Sequence, residues 1–328
     1  MTHVSQEIWL DRIQGWNITD CAVRSRDVIS LCLRRKVDPE DVSWTADSDI
    51  PSRLMNLFIN RDENVFGDRT YAGLKLPKLG VCSVPVAQAM MVARNADGQV
   101  VLLGGGRDFS DEFIAPGKYP MTHRIKTLFG CAYSVGQGRS IYKRASIGSW
   151  LPFNEGFPAI EAVTSHGFED MDAFSEGDMY AVGGHGDVWH FDGERWSHMQ
   201  FPSSVQLGTV TCAGDGQVYI SGEGGSLWVG QKSSWKRIYE GNSSVLWNDA
   251  LWFEGKLWLS SDFQFRHWDG RSLAPVTHEG RQLWLNGHMD ARDGLLAVAG
   301  VERLNVFDGE NWRTIVEPYS GMCGKGRG

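Results

Sequence analysis

The hydrophobic pattern of the second half of the chain repeats with a fixed period. Short apolar runs alternate with glycine-rich or charged turns, and four equivalent glycines lie 39 residues apart at Gly177, Gly216, Gly255 and Gly294. Each of them precedes an apolar run, such as Met179–Val182. A repeating β-type unit of about 40 residues predicts a propeller or solenoid, because one such unit is too small to bury its own apolar face.

Each period contains four predicted strands. In the clearest unit, a strand precedes Gly177, a second follows it, and Val188–Phe191 and Arg195–Met199 supply the third and fourth. The pair Asp192-Gly193 between the last two predicts a tight hairpin turn, and Asp-Gly recurs at 269–270 and 308–309. Four antiparallel strands in about 40–45 residues are typical of a propeller blade.

The repeat therefore predicts an all-β protein, a β-propeller of seven four-stranded blades, with six blades as an open alternative. The predicted blades occupy residues 16–60, 68–116, 121–155, 157–203, 205–240, 244–278 and 283–318. We interpret residues 1–328 as a single propeller domain. Within it, residues 1–15 close the ring through a strand at Glu7–Arg12, and residues 319–328 form a flexible tail.

Composition restricts the class of protein further. The chain contains no apolar run long enough to span a membrane, and its N-terminus lacks the basic and apolar regions of a secretory signal. The six cysteines are scattered without CxxC spacing, and most lie in apolar strand contexts. These features predict reduced thiols and a cytoplasmic protein.

The charge of the chain bears on its partners. The formal net charge is −8, which argues against binding to nucleic acid or to anionic membrane surfaces, since both require an excess of Lys and Arg. The same charge is compatible with a basic protein partner, because opposite potentials accelerate association.

Known catalytic and cofactor motifs are missing from the sequence. It has no GxSxG, HExxH, Walker or CxxC motif, and its glycine clusters lie between predicted strands rather than before helices. His166, His185 and His288 lie on predicted loops without the close spacing of metal ligands. We therefore expect a protein that is not an enzyme and has no cofactor and no metal.

One alternative remains at the predicted axis. Asp172, Asp249 and Asp290 occupy equivalent positions near the innermost strands, where carboxylates can surround the central channel. This pattern is compatible with an enzyme or a carbohydrate-binding propeller that holds a small ligand in the axial funnel. It is equally compatible with a hydrated pore entrance that binds nothing.

The loops between second and third strands favour a protein-binding surface. Their framework repeats from blade to blade while their tips differ, as expected for recognition loops on a rigid scaffold. The predicted partner-binding residues at these tips, and in two connections between blades, are Arg107, Asp108, Arg139, His185, Asp187, Glu223, Asp262, Phe263, Phe265, Glu302, Arg303, Trp247 and Trp284.

The best-defined blade also carries a family resemblance. Residues 178–202 read DMYAVGGHGDVWHFDGERWSHMQFP, with an apolar strand, a Gly-Gly doublet, an aromatic-Asp-Gly turn and then a Trp. This stretch resembles the bacterial kelch-like and WD40-like propellers, and the likeness covers residues 157–318. Members of that group serve as binding modules, and some are immunity partners of secreted antibacterial toxins. The resemblance therefore implies a non-enzymatic protein that occludes a toxin, and the net charge makes a basic toxin domain the expected partner.

The cysteine pattern gives a first testable prediction. All six cysteines are expected to react with a thiol reagent in denaturant without prior reduction, because a reducing compartment keeps them unpaired. A disulfide that involves Cys21 or Cys32 would contradict the cytoplasmic placement.

Overall fold

The protein is a ring of seven four-stranded antiparallel sheets. The structure, a computed structural model, describes residues 4–158, 167–241 and 245–318. In each sheet the strands pair in chain order, and the first strand of each sheet contacts the first strands of both neighbouring sheets. The seven first strands therefore surround a common axis. The prediction of an all-β propeller with seven blades is confirmed, and the six-bladed alternative is wrong.

Each blade consists of four strands that follow one another along the chain. Blades one to four comprise β1 (Trp16–Ser25), β2 (Val28–Arg35), β3 (Ser52–Phe58), β4 (Phe66–Tyr71); β5 (Lys78–Cys82), β6 (Gln88–Val92), β7 (Gln99–Gly104), β8 (Glu112–Phe113); β9 (Thr122–Leu128), β10 (Cys131–Gly136), β11 (Ser140–Ser146), β12 (Ser149–Pro152); and β13 (Phe168–Ser175), β14 (Asp178–Gly183), β15 (Asp187–Phe191), β16 (Trp196–Met199).

Blades five to seven follow the same plan. They comprise β17 (Leu207–Cys212), β18 (Val218–Gly222), β19 (Leu227–Gln231), β20 (Ser234–Tyr239); β21 (Asp249–Phe253), β22 (Lys256–Ser260), β23 (Phe265–Trp268), β24 (Leu273–Pro275); and β27 (His288–Arg292), β28 (Leu295–Ala299), β29 (Leu304–Phe307), β30 (Trp312–Val316). Besides these strands, the described residues form helix α1 (Gln6–Arg12), two 3-10 turns (Asp47–Asp49 and Glu223–Gly225) and a small hairpin, β25 (Thr277–His278) with β26 (Arg281–Gln282).

The hydrophobic core lies between neighbouring sheets. Trp196, one of the repeated tryptophans, is almost fully buried and contacts the rings of Phe153, Phe157 and Phe191 between blades three and four. Such aromatic packing stabilises the sheet-to-sheet contact through both buried area and ring geometry. The repeated apolar runs thus serve interblade packing.

The spaced glycines have a backbone reason. Gly216, Gly255 and Gly294 occupy the turns between first and second strands with φ of +80°, +72° and +70°. Glycine adopts this left-handed region without steric cost, so the turn geometry explains the repeat at these three positions.

The Asp-Gly turns differ from the tight hairpins that we predicted. Between Phe191 and Trp196 the chain makes a four-residue turn, in which the Asp192 carboxylate accepts the backbone N–H groups of Glu194 (3.0 Å) and Arg195 (2.9 Å). Only the glycine of the pair has a positive φ. The aspartate side chain stabilises a wider turn, so the prediction of two-residue turns is wrong.

The predicted boundary between blades one and two is also wrong. Phe66–Tyr71 pairs with Ser52–Phe58 and is the outermost strand of blade one. Residues 36–51 separate β2 from β3 and interrupt the regular spacing of strands along the chain. The prediction therefore placed the fourth strand of blade one in blade two. Residues 104–109 consequently follow the third strand of blade two rather than the second.

The N-terminal segment forms a helix that packs against blades one and seven, and not the predicted closure strand. Gln6–Arg12 form a helix with Ser5 as its N-cap, and Trp9 and Ile13, four residues apart, are buried against blades one and seven. An i, i+4 apolar pair favours a helix over a strand. The backbone N–H of Val4 donates to Ile315 of blade seven, and Arg12 pairs with Asp68 of blade one (3.0 Å).

A buried ion pair joins blades two and three. Arg144 is 1% exposed, and its guanidinium donates to both carboxylate oxygens of Glu112 at 2.9 and 2.5 Å. Glu112 also accepts the indole N–H of Trp150, and Arg144 donates to the amide oxygen of Gln88. The network satisfies charges that water cannot reach.

We expect Arg144→Met to lower the free energy of unfolding by about 3–5 kcal/mol, because it leaves the Glu112 carboxylate buried and unpaired. Adding Glu112→Gln is expected to restore more than half of the loss. Urea denaturation followed by tryptophan fluorescence measures both variants. A loss below about 1 kcal/mol for the single variant would contradict this account.

Candidate protein-binding face

The loops of the propeller lie on two faces. Because neighbouring strands are antiparallel, loops that join second to third strands share a face with the connections between blades. We call this the loop face. Besides those connections, it consists of residues 36–51, 93–98, 137–139, 184–186, 223–226, 261–264 and 300–303. The remaining turns form the opposite face.

Eight of the predicted contact residues lie on the loop face with side chains at least partly exposed. They are Arg139, His185, Glu223, Asp262, Phe263, Trp284, Glu302 and Arg303. Two of them form ion pairs within the protein, since Glu302 pairs with Lys36 and Arg139 with Asp187. The structure therefore brings most of the predicted set to one surface.

Three of the predicted contact residues are buried instead. Asp187 accepts two hydrogen bonds from Arg139 (2.7 and 3.2 Å), and Phe265 stacks on Trp258 with a centroid distance of 5.5 Å. Trp247 is buried and its indole N–H donates to a backbone carbonyl of the preceding blade. All three stabilise the scaffold, so the prediction that they are exposed contacts is wrong.

Arg107 and Asp108 lie on the other side of the ring. They are exposed, but they belong to the turn between β7 and β8, and Asp108 pairs with Arg69 of blade one. Because this turn joins a third strand to a fourth, it belongs to the opposite face. Their predicted position on the loop face is wrong, as a consequence of the shifted blade boundary.

Exposed aromatic side chains are concentrated on the loop face. Among the described residues the three most exposed large hydrophobic side chains are Trp44 (87%), Trp284 (84%) and Phe263 (81%), and all three lie there. Soluble proteins bury most such side chains, and exposed aromatic groups are typical anchors of protein interfaces. This distribution distinguishes the loop face from the opposite face.

Two elements of the loop face were missed by the sequence reasoning. One is the loop of residues 36–51, which carries Trp44, and the other is the β25–β26 hairpin, which precedes Trp284. The acidic, proline-containing stretch 38–51 between two strand-like runs was a signal that could have identified the first. Both elements extend the loop face beyond the short loops of the repeat.

Hydrogen bonds between neighbouring loops hold the loop face in place. The amide of Asn248 donates to the Asp262 carboxylate (2.6 Å), and the amide of Asn286 donates to the Asp262 carbonyl (2.9 Å). The backbone N–H of Gly287 donates to Ser261 (2.7 Å). A surface fixed in this way loses little conformational entropy when it binds a partner.

The axial aspartates serve a structural role. The carboxylate of Asp172 accepts the N–H of Cys212 (2.9 Å), Asp249 that of Met289 (3.0 Å), and Asp290 that of Val23 (2.7 Å). Each bond joins the innermost strand of one blade to that of the next. The carboxylates predicted to form a ligand ring thus link neighbouring blades.

Arg124 fills the axis between opposite blades. Its guanidinium donates to the Asp249 carboxylate (2.5 Å) and to the Asn248 carbonyl (2.6 Å) of blade six, and it pairs with Asp170 of blade four (3.2 Å). The attraction of these carboxylates outweighs the effect of burial and raises the pKa of Arg124. The sequence reasoning missed this residue because nothing in a linear pattern shows that β9 faces β21.

His288 completes the axial charge cluster. Burial alone would lower its pKa, but the carboxylates of Asp249 and Asp20 outweigh burial and raise the pKa to about 9. For Asp249, burial acts to raise the pKa, yet His288 and Arg124 hold it well below the usual range. Both groups are therefore charged at neutral pH.

The remaining axial space is small and polar. A cavity of about 220 Å³ is lined by Lys126, Asp172, Cys212, Asp290 and Arg292, among others. Within residues 4–158, 167–241 and 245–318, no group of three or more His, Cys, Asp or Glu side chains has the arrangement of a metal site. His166, one of the three loop histidines considered for such a site, lies outside the described residues.

Two further sequence predictions concern the environment of the chain. The five described cysteines, Cys21, Cys32, Cys82, Cys131 and Cys212, are unpaired, and Cys323 lies outside the described residues. In the part of the chain that the structure describes, no helix is both long and apolar enough to cross a membrane.

Fold and face together define a seven-bladed β-propeller with exposed aromatic side chains on one rigid face. No protein-family model matches the chain. The immune protein Tsi7 of Pseudomonas aeruginosa is 32% identical to it over 238 residues, which cover 70% of this chain and 76% of the relative. The chain therefore belongs to the family of the immune protein Tsi7, and the predicted resemblance to propeller immunity proteins is confirmed.

Solved structures share the fold at much lower identity. YCF48 bound to a D1 peptide superimposes with a TM-score of 0.60 at 14% identity and covers 88% of this chain and 89% of its own. The WD40 β-propeller domain of Doa1 gives a TM-score of 0.57 at 12% identity, with 94% and 95% coverage. These likenesses concern the fold alone.

The axial ion pair gives a prediction of pH dependence. Because the pKa of His288 in the folded protein is about 9, above the unfolded value of about 6.5, protonated His288 stabilises the fold fully below pH 6.5 and loses this effect as the pH rises. We expect the free energy of unfolding to fall by about 2 kcal/mol between pH 6.5 and 8.5, as measured by urea denaturation.

His288→Gln should remove most of this slope, while His185→Gln, which changes an exposed loop histidine, should keep it. Thiols of the unfolded chain, with a pKa of about 8.5, add a further fall in the upper part of this window. The wild type and both variants share that fall, so the contribution of His288 is the difference between the wild type and His288→Gln. An unchanged slope in His288→Gln would show that another group is responsible.

Proposed function

We propose that this chain is an immunity protein that binds a protein toxin through its loop face and neutralises it by occlusion. Its membership of the family of the immune protein Tsi7 carries the proposal. The exposed aromatic side chains of the loop face support the assignment of that face, because hydrophobic anchors of this kind contribute most of the binding energy at protein interfaces.

The physics of the proposed complex follows from two properties of the face. Phe263 and Trp284 leave water on binding, which favours a slow off-rate. Glu223 and Asp262 are exposed and have no basic partner among the described residues, so they attract a basic surface. The toxin domain that we propose as partner is therefore basic around an apolar contact region.

In this proposal the chain acts by binding and not by catalysis. The axial carboxylates that would serve a small ligand already accept backbone N–H groups of the neighbouring blades, and Arg124 pairs with one of them, Asp249. These contacts favour protein binding over the ligand-funnel alternative. The unpaired described cysteines support a cytoplasmic site of action.

Expression with a candidate toxin tests the proposal. The candidate toxin is the protein encoded by the gene next to the gene of this chain. It is expressed in a bacterial host, either alone or together with this chain. We expect growth arrest by the candidate alone, rescue by this chain, and a complex in size-exclusion chromatography. Growth arrest without rescue, or rescue without a complex, would contradict neutralisation by binding.

Variants of the loop face test the assigned surface. Phe263→Ala and Trp284→Ala are each expected to weaken the complex by about 2 kcal/mol, mainly through a faster off-rate. Glu223→Lys combined with Asp262→Lys is expected to slow association at low salt, because exposed charges act chiefly by steering. Glu302 is left unchanged, since a lysine there would stand beside Lys36. Biolayer interferometry with the same candidate measures both rates.

Matched controls lie on the opposite face. Phe129→Ala removes a partly exposed aromatic side chain there, and Glu194→Lys with Glu310→Lys makes the same change in net charge. These variants should bind like the wild type. Loss of binding in the controls alone would assign the interface to the opposite face.

A further inference from the structure

The largest departure of the loop face from the repeat is the loop of blade one, residues 36–51. The equivalent loops of blades three and four comprise only residues 137–139 and 184–186, so the propeller scaffold does not require this length. Long ordered loops on a rigid scaffold are a common location for binding residues.

The loop carries a dense negative charge. Asp38, Glu40, Asp41 and Asp49 are all exposed, and none of these four carboxylates lies within ion-pair distance of a basic group among the described residues. Asp49 accepts only a long hydrogen bond from the hydroxyl of Ser48 (3.4 Å). Four unpaired carboxylates in twelve residues repel one another in the free protein, and a cationic surface would relieve that repulsion.

An exposed tryptophan stands among these charges. Trp44 is 87% exposed, the highest value of any large hydrophobic side chain in the described residues, and Val42 beside it is also exposed. Its indole is an amphipathic group of large area that gains most when a partner pocket removes it from water.

The loop is ordered by bonds to the scaffold. At its base, the Asp47 carboxylate accepts hydrogen bonds from Arg34 (3.1 and 3.3 Å) and from the N–H of Leu76 (2.6 Å). At its tip, the N–H groups of Trp44 and Thr45 both donate to the Asp41 carbonyl at 3.0 Å. The tip is therefore held in a compact turn, which reduces the entropy lost on binding.

A groove separates the loop from the axis. Its volume is about 440 Å³. Apolar side chains of Val37, Val42, Ile50, Leu76 and Pro77 line it together with polar and charged ones, which include Asp20, Asp47, Arg34, Arg35 and Lys78. The loop thus forms one wall of a concave site of mixed polarity on the loop face.

We infer that the loop of residues 36–51 is the primary partner-recognition element of this propeller, and that it takes a protein surface in which an apolar pocket for Trp44 is surrounded by lysine and arginine side chains. The inference rests on the proposed function and names the partner chemistry at one sector of the loop face. Charge complementarity determines the occupant, because the four unpaired carboxylates oppose any acidic surface.

Two loop variants test the inference by their binding to the candidate toxin from the neighbouring gene. The toxin is purified in complex with this chain, separated from it in denaturant and refolded. Trp44→Ala is expected to raise the dissociation constant at least tenfold, mainly through the off-rate. The combined variant Asp38→Asn, Glu40→Gln, Asp41→Asn and Asp49→Asn is expected to lower the association rate about tenfold at low salt and to reduce its salt dependence.

The matched control changes four exposed carboxylates of the opposite face. Glu176→Gln, Glu194→Gln, Glu254→Gln and Glu310→Gln alter the net charge by the same amount and should retain wild-type rates. Phe129→Ala serves as the control for Trp44→Ala. Unchanged melting temperatures show that all variants remain folded.

The outcomes separate the inference from the proposed function. If the wild type binds and protects while both loop variants bind equally well, the inference is overturned and the proposed function stands. If the wild type neither binds nor protects, both fall together. A dimer of the free protein that Trp44→Ala dissociates would assign the loop to self-association and would also overturn the inference.

Discussion

The ring depends on one recurring interaction, a hydrogen bond between a side chain of one innermost strand and the backbone of a neighbouring innermost strand. Such a bond occurs at each of the seven junctions between blades. The side chains that make these bonds are Asp20, Thr127, His123, Asp170 with Asp172, Thr211, Asp249 and Asp290. Several of the bonded residues are 40 apart in the chain, close to the 39-residue repeat. Residues that bond across a junction between blades are therefore separated by about one repeat of the sequence.

This interaction also determines where function can reside. Carboxylates that accept backbone N–H groups at the axis are committed to the scaffold, and Arg124 joins blade three to blade six between them. The Glu112–Arg144 pair performs a related task farther from the axis. With the axis occupied in this way, the loops of the outer ring become the surface that is free to vary, because their substitution leaves the interblade bonds intact.

The loop face combines rigidity with chemical contrast. Asp262 illustrates the rigidity, since it joins loops of successive connections through Asn248 and Asn286. Trp44 and Trp284 are large apolar side chains that remain exposed to water on this face beside charged ones. A preorganised surface with a few exposed aromatic anchors suits tight protein recognition, in agreement with membership of the immune protein Tsi7 family.

The sequence by itself determined the all-β propeller class and most of the short loops of blades four to seven, because local hydrophobic period and turn chemistry repeat there. It favoured seven blades but left six open. It could not determine which loop residues are exposed: Phe265 and Asp187 were predicted to be loop tips, but each is buried at the first position of a strand. It also could not place Arg124 beside Asp249, since their contact spans 125 residues and requires the closed ring. Only the tertiary structure decides such contacts, because burial and pairing across the axis depend on how all seven sheets are arranged around it.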